Sequence, residues 1–447
     1  MNVPPTAIIV ENVDYVLTTA GVQERCDLVL DQGRIAAIRS TGPIGSTGPI
    51  DTEMRRIDGR GKAALAGFKN AHTHAAMTLL RGYGDDMRLL PWLQERIWPA
   101  EAQLTGEDIY WGTRLAALEM ISSGTTFAND MYFQAPRVRQ AFRDAGMRAA
   151  VGYALFDFGD SARRAALQEE VMELLRQEHG APSPIPDPVF PTIAPHSIYT
   201  CSGELLQWAA ALAADQGLVF HIHMSETEQE VRDCLDARGL RPFQWLEQLG
   251  VLEAAGSRMI AAHAVWLDRI ELDLVAKYGV TVAHNPASNM KLASGCFPWR
   301  EYADRSVPVM LAPDGVASNN NLDMFDEMKL AALLQKHHYG DPTRLPAEEI
   351  LAIATGARST LFADSGVGGA LTEGGPADVV LVDLDHPQMV PVHNLESNLA
   401  YAANGGVVDT VICAGQILME GRTIPDSREV LQEARHRASA LAARARP

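Results

Sequence analysis

The stretch Gly67-Phe68-Lys69-Asn70-Ala71-His72-Thr73-His74 is a run of strand length that ends in a His-x-His pair. His72 and His74 are two positions apart, so on a β-strand both imidazoles would point to the same face. A histidine pair of this kind can hold a metal ion, but taken alone it is a weak signal. The rest of the chain decides between a metal site and ordinary hydrogen-bonded histidines.

Similar apolar runs recur through the middle of the chain, and helical patterns separate them. The candidate strands are Gly67–Ala71, Thr125–Asn129, Ala149–Leu155, Val189–Ala194, Val219–His223, Arg258–His263, Val280–His284 and Val309–Ala312. Eight strands, each followed by helical or loop sequence, predict an α/β fold built as a (β/α)8 TIM barrel. A doubly wound parallel sheet is the alternative.

Both ends of the chain have a different character, with short β-rich runs broken by Gly and Asp. These runs are Ala7–Leu17, Cys26–Leu30, Arg34–Ile38, Val379–Val382, Val407–Ala414 and Gln416–Glu420. They predict a small β-sandwich domain formed by both termini. The expected boundaries are residues 1–62 for its first part, 63–364 for the metal-dependent barrel, and 365–447 for its second part with a terminal helix.

Histidines collect at the ends of the predicted strands, where a TIM barrel carries its active site. Besides the pair on the first strand, the strand-end residues are His196, His221, His223, His263, His284 and Asp314. Packing alone does not account for so many imidazoles at one end of a barrel. Three neutral imidazoles and one carboxylate suit Zn²⁺, which lowers the pKa of a water molecule that it binds to about 7. We therefore predict a metal site at this end of the barrel.

The composition restricts the partners of the protein. The formal net charge of −18 argues against binding to nucleic acid or to an anionic membrane. The five cysteines are scattered, odd in number, and form no Cys-x-x-Cys pair. Disulfide bonds are therefore not expected, and the cytoplasm is the expected location.

Four segments resemble motifs of the amidohydrolase superfamily. The stretch at 67–74 is similar to its first-strand motif, and His221-Ile222-His223-Met224-Ser225-Glu226 is similar to a segment of its deaminase branch. The segment Leu311-Ala312-Pro313-Asp314-Gly315 is similar to the last strand, and Gly375-Pro376-Ala377-Asp378 extends the resemblance into the C-terminal β-domain. The resemblance implies that His72, His74, His223 and Asp314 hold the metal.

Two further segments narrow the resemblance. The first is Pro91-Trp92-Leu93 with Ile97-Trp98-Pro99-Ala100-Glu101, and the second is His284-Asn285-Pro286-Ala287-Ser288-Asn289-Met290-Lys291-Leu292. Both resemble the 5′-methylthioadenosine/S-adenosylhomocysteine deaminases, a subgroup that also contains triazine hydrolases. Lys69 departs from the pattern, and we expect its long stem to reach the lower rim of the barrel. Members with two metal ions use a carboxylated lysine on a middle strand, but Val189–Ala194 contains none. We therefore expect one Zn²⁺ per chain.

The resemblance implies hydrolytic deamination at C6 of an adenine ring. Asp314 would accept a proton from the attacking water, Glu226 would protonate N1 of the ring, and His263 would stabilise the attacking oxygen. Judged from its position alone, Glu226 could equally be an acid at the start of the helix predicted from Thr227.

The resemblance also suggests residues that bind the substrate. Glu101 would bind the ribose hydroxyls, His196 would contact the nucleoside, and Trp92 would pack on the purine unless it is simply a core residue. Members that take the charged homocysteine tail carry an arginine on the third strand, where this chain has Tyr153. An aromatic side chain there predicts a preference for 5′-methylthioadenosine, with S-adenosylhomocysteine or adenosine as lesser substrates.

Several alternatives stay open at this point. Arg163 and Arg164 could still reach the carboxylate of a homocysteine tail. A triazine hydrolase would use the same metal site but is expected to lack the pair of Glu226 and His263. A catalytically inactive scaffold of the same fold should have lost metal ligands. The expected partners are a small-molecule adenine nucleoside and further copies of the same chain in a homo-oligomer.

Overall fold

The computed structural model describes residues 7–41, 54–178 and 187–445, except for the side chains of residues 177 and 178. It contains two eight-stranded sheets, a terminal sheet and a barrel sheet. The terminal sheet contains β1 (Ile8–Thr18), β2 (Gly21–Asp31), β3 (Arg34–Ser40), β4 (Arg55–Asp58), β5 (Lys62–Ala66), β14 (Val379–Asp383), β15 (Val408–Cys413) and β16 (Gln416–Met419). The barrel sheet contains β6 (Phe68–Thr73), β7 (Thr125–Tyr132), β8 (Arg148–Leu155), β9 (Val189–Pro195), β10 (Phe220–Met224), β11 (Met259–His263), β12 (Thr281–His284) and β13 (Val309–Leu311).

The barrel strands pair in chain order from β6 to β13, and every pair is parallel. Where β13 meets β6, the backbone N–H of Asp314 donates to the carbonyl of His72 at 3.2 Å. A doubly wound sheet would reverse its strand order at one point, and this sheet does not. The predicted (β/α)8 TIM barrel is therefore confirmed. Nearly all of its strand residues are buried, which explains why the strands appear in the sequence as continuous apolar runs.

At least one helix follows each barrel strand, and the last two helices follow strands of the terminal sheet. The helices are α1 (Leu89–Trp92), α2 (Trp98–Glu101), α3 (Gly106–Ser122), α4 (Ala135–Asp144), α5 (Ser161–Glu178), α6 (Gly203–Gln216), α7 (Glu228–Arg238), α8 (Pro242–Gln248), α9 (Val251–Ala255), α10 (Arg269–Tyr278), α11 (Pro286–Lys291), α12 (Trp299–Ala303), α13 (Val316–Asn319), α14 (Met324–Tyr339), α15 (Ala347–Ala354), α16 (Leu395–Ser397) and α17 (Ser427–Arg444). Among the described residues, we find no helix whose length and hydrophobicity would suffice to span a bilayer.

The terminal sheet draws its strands from both ends of the chain, as the sequence predicts. Strand β5 pairs with both β1 and β14, which joins the two ends directly. Apolar residues of this sheet form a hydrophobic cluster separate from that of the barrel. Strand β5 ends at Ala66 and the first barrel strand begins at Phe68, so the chain passes from one sheet to the other at Gly67.

A buried ion cluster ties the barrel to the terminal sheet. The ammonium group of Lys69 donates to Thr126 Oγ1 at 2.8 Å and to Asp378 Oδ2 at 3.1 Å, and Arg148 also pairs with Asp378 at 3.3 Å. Asp378 directly precedes β14, so the unusual lysine of the first barrel strand has its partner in the C-terminal part of the chain. A buried charge needs such partners, because an isolated one is costly to remove from water.

Candidate metal centre and substrate cavity

Four side chains from the ends of three barrel strands, β6, β10 and β13, converge at the C-terminal face of the barrel. Asp314 Oδ1 lies 3.3 Å from His72 Nε2 and 3.4 Å from His74 Nε2. His223 Nε2 lies 3.2 Å from His74 Nε2. The structure therefore brings together the four residues that the sequence proposes as metal ligands.

The hydrogen bonds of the imidazoles show that their lone pairs face one another. His74 Nδ1 lies 2.7 Å from the carbonyl oxygen of Met131, and His223 Nδ1 lies 2.6 Å from that of His196. A carbonyl can only accept, so each Nδ1 carries the hydrogen, and each Nε2 of a neutral ring presents a lone pair. Two lone pairs at 3.2 Å repel each other unless a cation lies between them. This donor set therefore fits a divalent metal ion.

The protonation states agree with this assignment. Burial lowers the pKa of His72 to about 4, so its ring is neutral at neutral pH. Its Nε2 is buried without a hydrogen-bond partner among the described residues, while its Nδ1 lies 2.8 Å from His221 Nε2. His221 is therefore a neighbour that orients the ring of His72.

Two serine hydroxyls fix the carboxylate of Asp314. Ser288 on α11 donates to Asp314 Oδ2 at 2.6 Å, and Ser318 on α13 lies 3.1 Å from the same oxygen. The other oxygen, Oδ1, is the one that faces His72 and His74. The carboxylate thus offers one oxygen to the metal cluster while the other is held in place.

Glu226 and His263 lie beside this cluster as a pair. Glu226 Oε2 is 3.7 Å from His263 Nε2, and Glu226 Oε1 accepts a hydrogen bond from Ser294 Oγ at 3.2 Å. Burial raises the pKa of Glu226, which favours the protonated form that an acid catalyst needs. His263 Nδ1 lies 2.9 Å from Asn289 Oδ1 and donates to it. The carboxylates of Glu226 and Asp314 outweigh the effect of burial and raise the pKa of His263.

The helix that follows Glu226 does not use it as its cap. Thr227 is the N-cap of α7, and its side chain accepts from the backbone N–H of Glu230. The carboxylate of Glu230 in turn accepts from the N–H groups of Ser225 and Glu226, both at 2.8 Å. Thr227 and Glu230 therefore fill the helix-start role, and the side chain of Glu226 lines the cavity.

A cavity of about 600 Å³ opens from the metal cluster, and aromatic side chains line much of its wall. Its size is that of a site for a small organic molecule. Three acidic residues line it, and two of them, Glu226 and Asp314, lie at the metal cluster. The third, Glu101, accepts a hydrogen bond from the hydroxyl of Tyr132 at 2.7 Å. Burial raises the pKa of Glu101 to about 7.

The other residues proposed to bind substrate divide into two groups. Trp92 and His196 line the cavity, and burial lowers the pKa of His196 to about 3, so its ring is neutral. Tyr153 does not line the cavity, which corrects the sequence prediction for this residue. Its strand neighbour Ala154 lines the cavity instead, so Tyr153 points to the opposite side of β8, where it lies near Arg139 of α4.

Arg163 and Arg164, the two candidate partners for the carboxylate of a homocysteine tail, differ in their position relative to the cavity. Arg164 pairs with Asp157 at 3.1 Å and contacts Ser202 Oγ at the same distance, so it is engaged away from the cavity. Arg163 lines the cavity, and its guanidinium lies 4.6 Å from the ring centre of Phe156 and 5.3 Å from that of Phe158.

Sequence reasoning missed the aromatic wall of the cavity. Phe133 follows β7, and Phe156 and Phe158 follow β8; their rings lie 5.5 Å (Phe133 to Phe156) and 5.7 Å (Phe156 to Phe158) apart. Trp98 lies 6.2 Å from Phe158. Residues at or just after the C-terminal ends of barrel strands face the active site, whether they are histidines or aromatic residues. The same positional rule could therefore have identified these aromatic residues from the sequence.

Comparison with known proteins places this geometry in a family. The model of the amidohydrolase family matches residues 63–418. A 5′-deoxyadenosine deaminase of Methanoregula boonei is 47% identical, over 87% of this chain and 86% of that protein. A 5-methylthioadenosine/S-adenosylhomocysteine deaminase of Archaeoglobus fulgidus is 45% identical, over 84% of this chain and 87% of that protein.

A solved structure agrees with these sequence relatives. The crystal structure of an adenosine deaminase from Xanthomonas campestris with bound zinc is 33% identical and superimposes with a TM-score of 0.88. The match covers 99% of this chain and 100% of that one. The chain therefore belongs to the amidohydrolase family, and it is a hydrolase that acts on carbon–nitrogen bonds.

Proposed function

We propose that this protein deaminates adenine nucleosides hydrolytically at C6 and that its preferred substrate is 5′-methylthioadenosine, which it converts to 5′-methylthioinosine and ammonia. The observation that carries the proposal is the arrangement at the inner end of the cavity. A four-donor cluster lies beside Glu226 and His263, and Glu226 has a raised pKa. The names of the three relatives described above, each an adenine-nucleoside deaminase, support the same reaction.

The metal would be held by His72, His74, His223 and Asp314. We propose about one Zn²⁺ per chain, because three imidazoles and one carboxylate match the donors that zinc prefers. When bound, the ion makes a water-derived nucleophile available at neutral pH. The zinc bound in the Xanthomonas campestris adenosine deaminase supports this choice of metal.

The protein side chains would move the protons. Asp314 accepts a proton from the attacking water, and Glu226 donates one to N1 of the adenine ring. Protonation of N1 matters because C6 becomes tetrahedral as the bond to oxygen forms, and negative charge then moves onto the ring. His263 donates to the attacking oxygen through Nε2, since its raised pKa favours the doubly protonated ring and Nδ1 is bonded to Asn289. Asp314 then passes the proton that it took from water to the amino group, the C6–N bond breaks, and ammonia leaves. The proton of the hydroxyl group on C6 returns to Glu226 as the C6 carbonyl forms.

The aromatic wall supports a small apolar group at the 5′ position. With C6 at the metal cluster, the far end of the nucleoside would lie against Phe133, Phe156 and Phe158. A thiomethyl group gains contact there, and the bare methyl group of 5′-deoxyadenosine does so to a lesser extent. The 5′-hydroxyl of adenosine would lose water without a matching partner, which costs roughly 1–3 kcal/mol.

Arg163 gives the homocysteine tail a partner, but a weak one. The side chain is exposed, and an ion pair in contact with water contributes only about 0–1 kcal/mol. The long tail would also lose conformational freedom on binding. We therefore propose that S-adenosylhomocysteine is accepted as a lesser substrate.

The test is kcat/KM for 5′-methylthioadenosine, 5′-deoxyadenosine, adenosine and S-adenosylhomocysteine under one condition. We expect 5′-methylthioadenosine to exceed adenosine by about tenfold, the fold-change for about 1.4 kcal/mol. In Arg163→Met, kcat/KM for S-adenosylhomocysteine should fall by about fivefold at most. A higher value for S-adenosylhomocysteine than for 5′-methylthioadenosine in the wild type would contradict the proposed preference.

We also expect a homo-oligomer, at least a dimer, as is common among barrel enzymes that this chain resembles. Multi-angle light scattering at micromolar protein concentration measures the mass directly. A single species with the mass of one chain would refute this expectation.

We place the enzyme in the cytoplasm, since all five of its cysteines are free thiols.

A further inference from the structure

Tyr132 connects the metal centre to the cavity residue Glu101. Tyr132 is the last residue of β7 and is 3% exposed. The preceding residue, Met131, accepts the hydrogen bond that orients His74. The hydroxyl of Tyr132 donates to Glu101 Oε1 at 2.7 Å. One strand end therefore holds both a proposed metal ligand and, through one hydrogen bond, the acidic group of the outer cavity.

Glu101 has no comparable support from its own helix. It is the last residue of α2, at the C-terminal end of a continuous helical segment that begins at Leu89, and it lies among apolar cavity residues such as Leu104 and Ile109. A glutamate side chain has several rotatable bonds, and fixing it costs conformational entropy. The hydrogen bond from Tyr132 selects one orientation of the carboxylate in advance. The ionised carboxylate has about four acceptor sites, so it can still accept donors from a ligand.

Neighbouring hydroxyl groups match this carboxylate. A carboxylate that already takes one phenol hydrogen can accept two more hydrogens from adjacent hydroxyls, as a ribose ring presents them. We propose that Tyr132 is a positioning residue that holds Glu101 to receive the 2′- and 3′-hydroxyls of the substrate and thereby sets the preference for ribosides over deoxyribosides. This inference rests on the proposed function, because it requires an adenine nucleoside in the cavity.

The experiment compares adenosine with 2′-deoxyadenosine in the zinc-loaded full-length enzyme. The quantity measured is the ratio of the two kcat/KM values. In Tyr132→Phe the ring stays and the hydroxyl is lost, so we expect this ratio to fall about tenfold. The loss should appear mainly as a higher KM for adenosine, because the contact forms in ground state and transition state alike.

Tyr153→Phe is the matched control. It removes the same hydroxyl from the neighbouring strand, at a buried tyrosine that points away from the cavity. This variant should keep the wild-type ratio. A purely structural role of Tyr132 would lower kcat/KM for both nucleosides by the same factor and leave the ratio unchanged, and that result would overturn the proposal.

Glu101→Asp tests the same hydrogen bond from its other partner. Shortening the side chain by one methylene withdraws the carboxylate from the hydroxyl of Tyr132, so the ratio should again fall. If Tyr132→Phe does not fold, an unchanged ratio in Glu101→Asp overturns the proposal instead. Failure of the proposed function has a different signature, since the wild type would then release no ammonia from either nucleoside.

Discussion

Replacing His72 by alanine should remove both the bound zinc and the activity. His72 is fully buried, its ring is neutral, and its Nε2 faces the carboxylate of Asp314 at 3.3 Å. Losing one of four donors opens the cluster, and the metal contributes several kcal/mol to stabilising the transition state. Since each 1.36 kcal/mol changes the rate tenfold, turnover should fall by at least about 10³-fold. His223→Ala should behave in the same way.

Zinc content by atomic emission and ammonia release measure the two losses in the same samples. His284 provides the matched control, because it too is a buried histidine at a strand end. Its ring stacks on Phe297 with a centroid distance of 4.1 Å, and it does not line the cavity. His284→Asn should therefore retain about one zinc ion per chain. Full activity in metal-free His72→Ala would show that the reaction does not use this centre.

Glu226→Gln should keep the zinc and lose about 10²–10⁴-fold in turnover. The amide has the shape of the carboxylic acid and can still contact Ser294, but it cannot pass a proton to the adenine ring. The metal cluster is untouched, because Glu226 lies beside the four donors and is not one of them. Single-turnover kinetics with 5′-methylthioadenosine would place the loss in the chemical step.

Glu228→Gln is the control for this substitution. Glu228 is an exposed acid in the first turn of α7, where it pairs with Arg232. If Glu226 served only to start this helix, the two variants would behave alike. Equal turnover in Glu226→Gln, Glu228→Gln and the wild type would remove Glu226 from the mechanism.

The strand-end rule explains what could be predicted from the sequence. Barrel strands are buried on both faces, so they appear as apolar runs, and their C-terminal ends mark one face of the barrel. His72, His74, His223 and Asp314 follow from that rule together with the family motifs. The contacts that orient them, such as those of Ser288 and Asn289, depend on how separate loops meet and have no local signal.

Two residues show where sequence reasoning fails. Matching a motif position assigns Tyr153 to the cavity, but alternation along β8 places Ala154 there instead. The partner of Lys69 lies 309 positions away in Asp378, in a part of the chain that the barrel pattern does not include. Long-range pairs of this kind become visible only when the fold brings both ends of the chain together.

The most direct test of the proposed reaction is product analysis with 5′-methylthioadenosine and the zinc-loaded enzyme. Chromatography with mass detection identifies the nucleoside product, and an enzymatic assay quantifies ammonia in the same reaction. We predict 5′-methylthioinosine and ammonia in equal amounts, with the glycosidic bond intact. Unchanged 5′-methylthioadenosine, or free adenine without ammonia, would contradict hydrolytic deamination at C6.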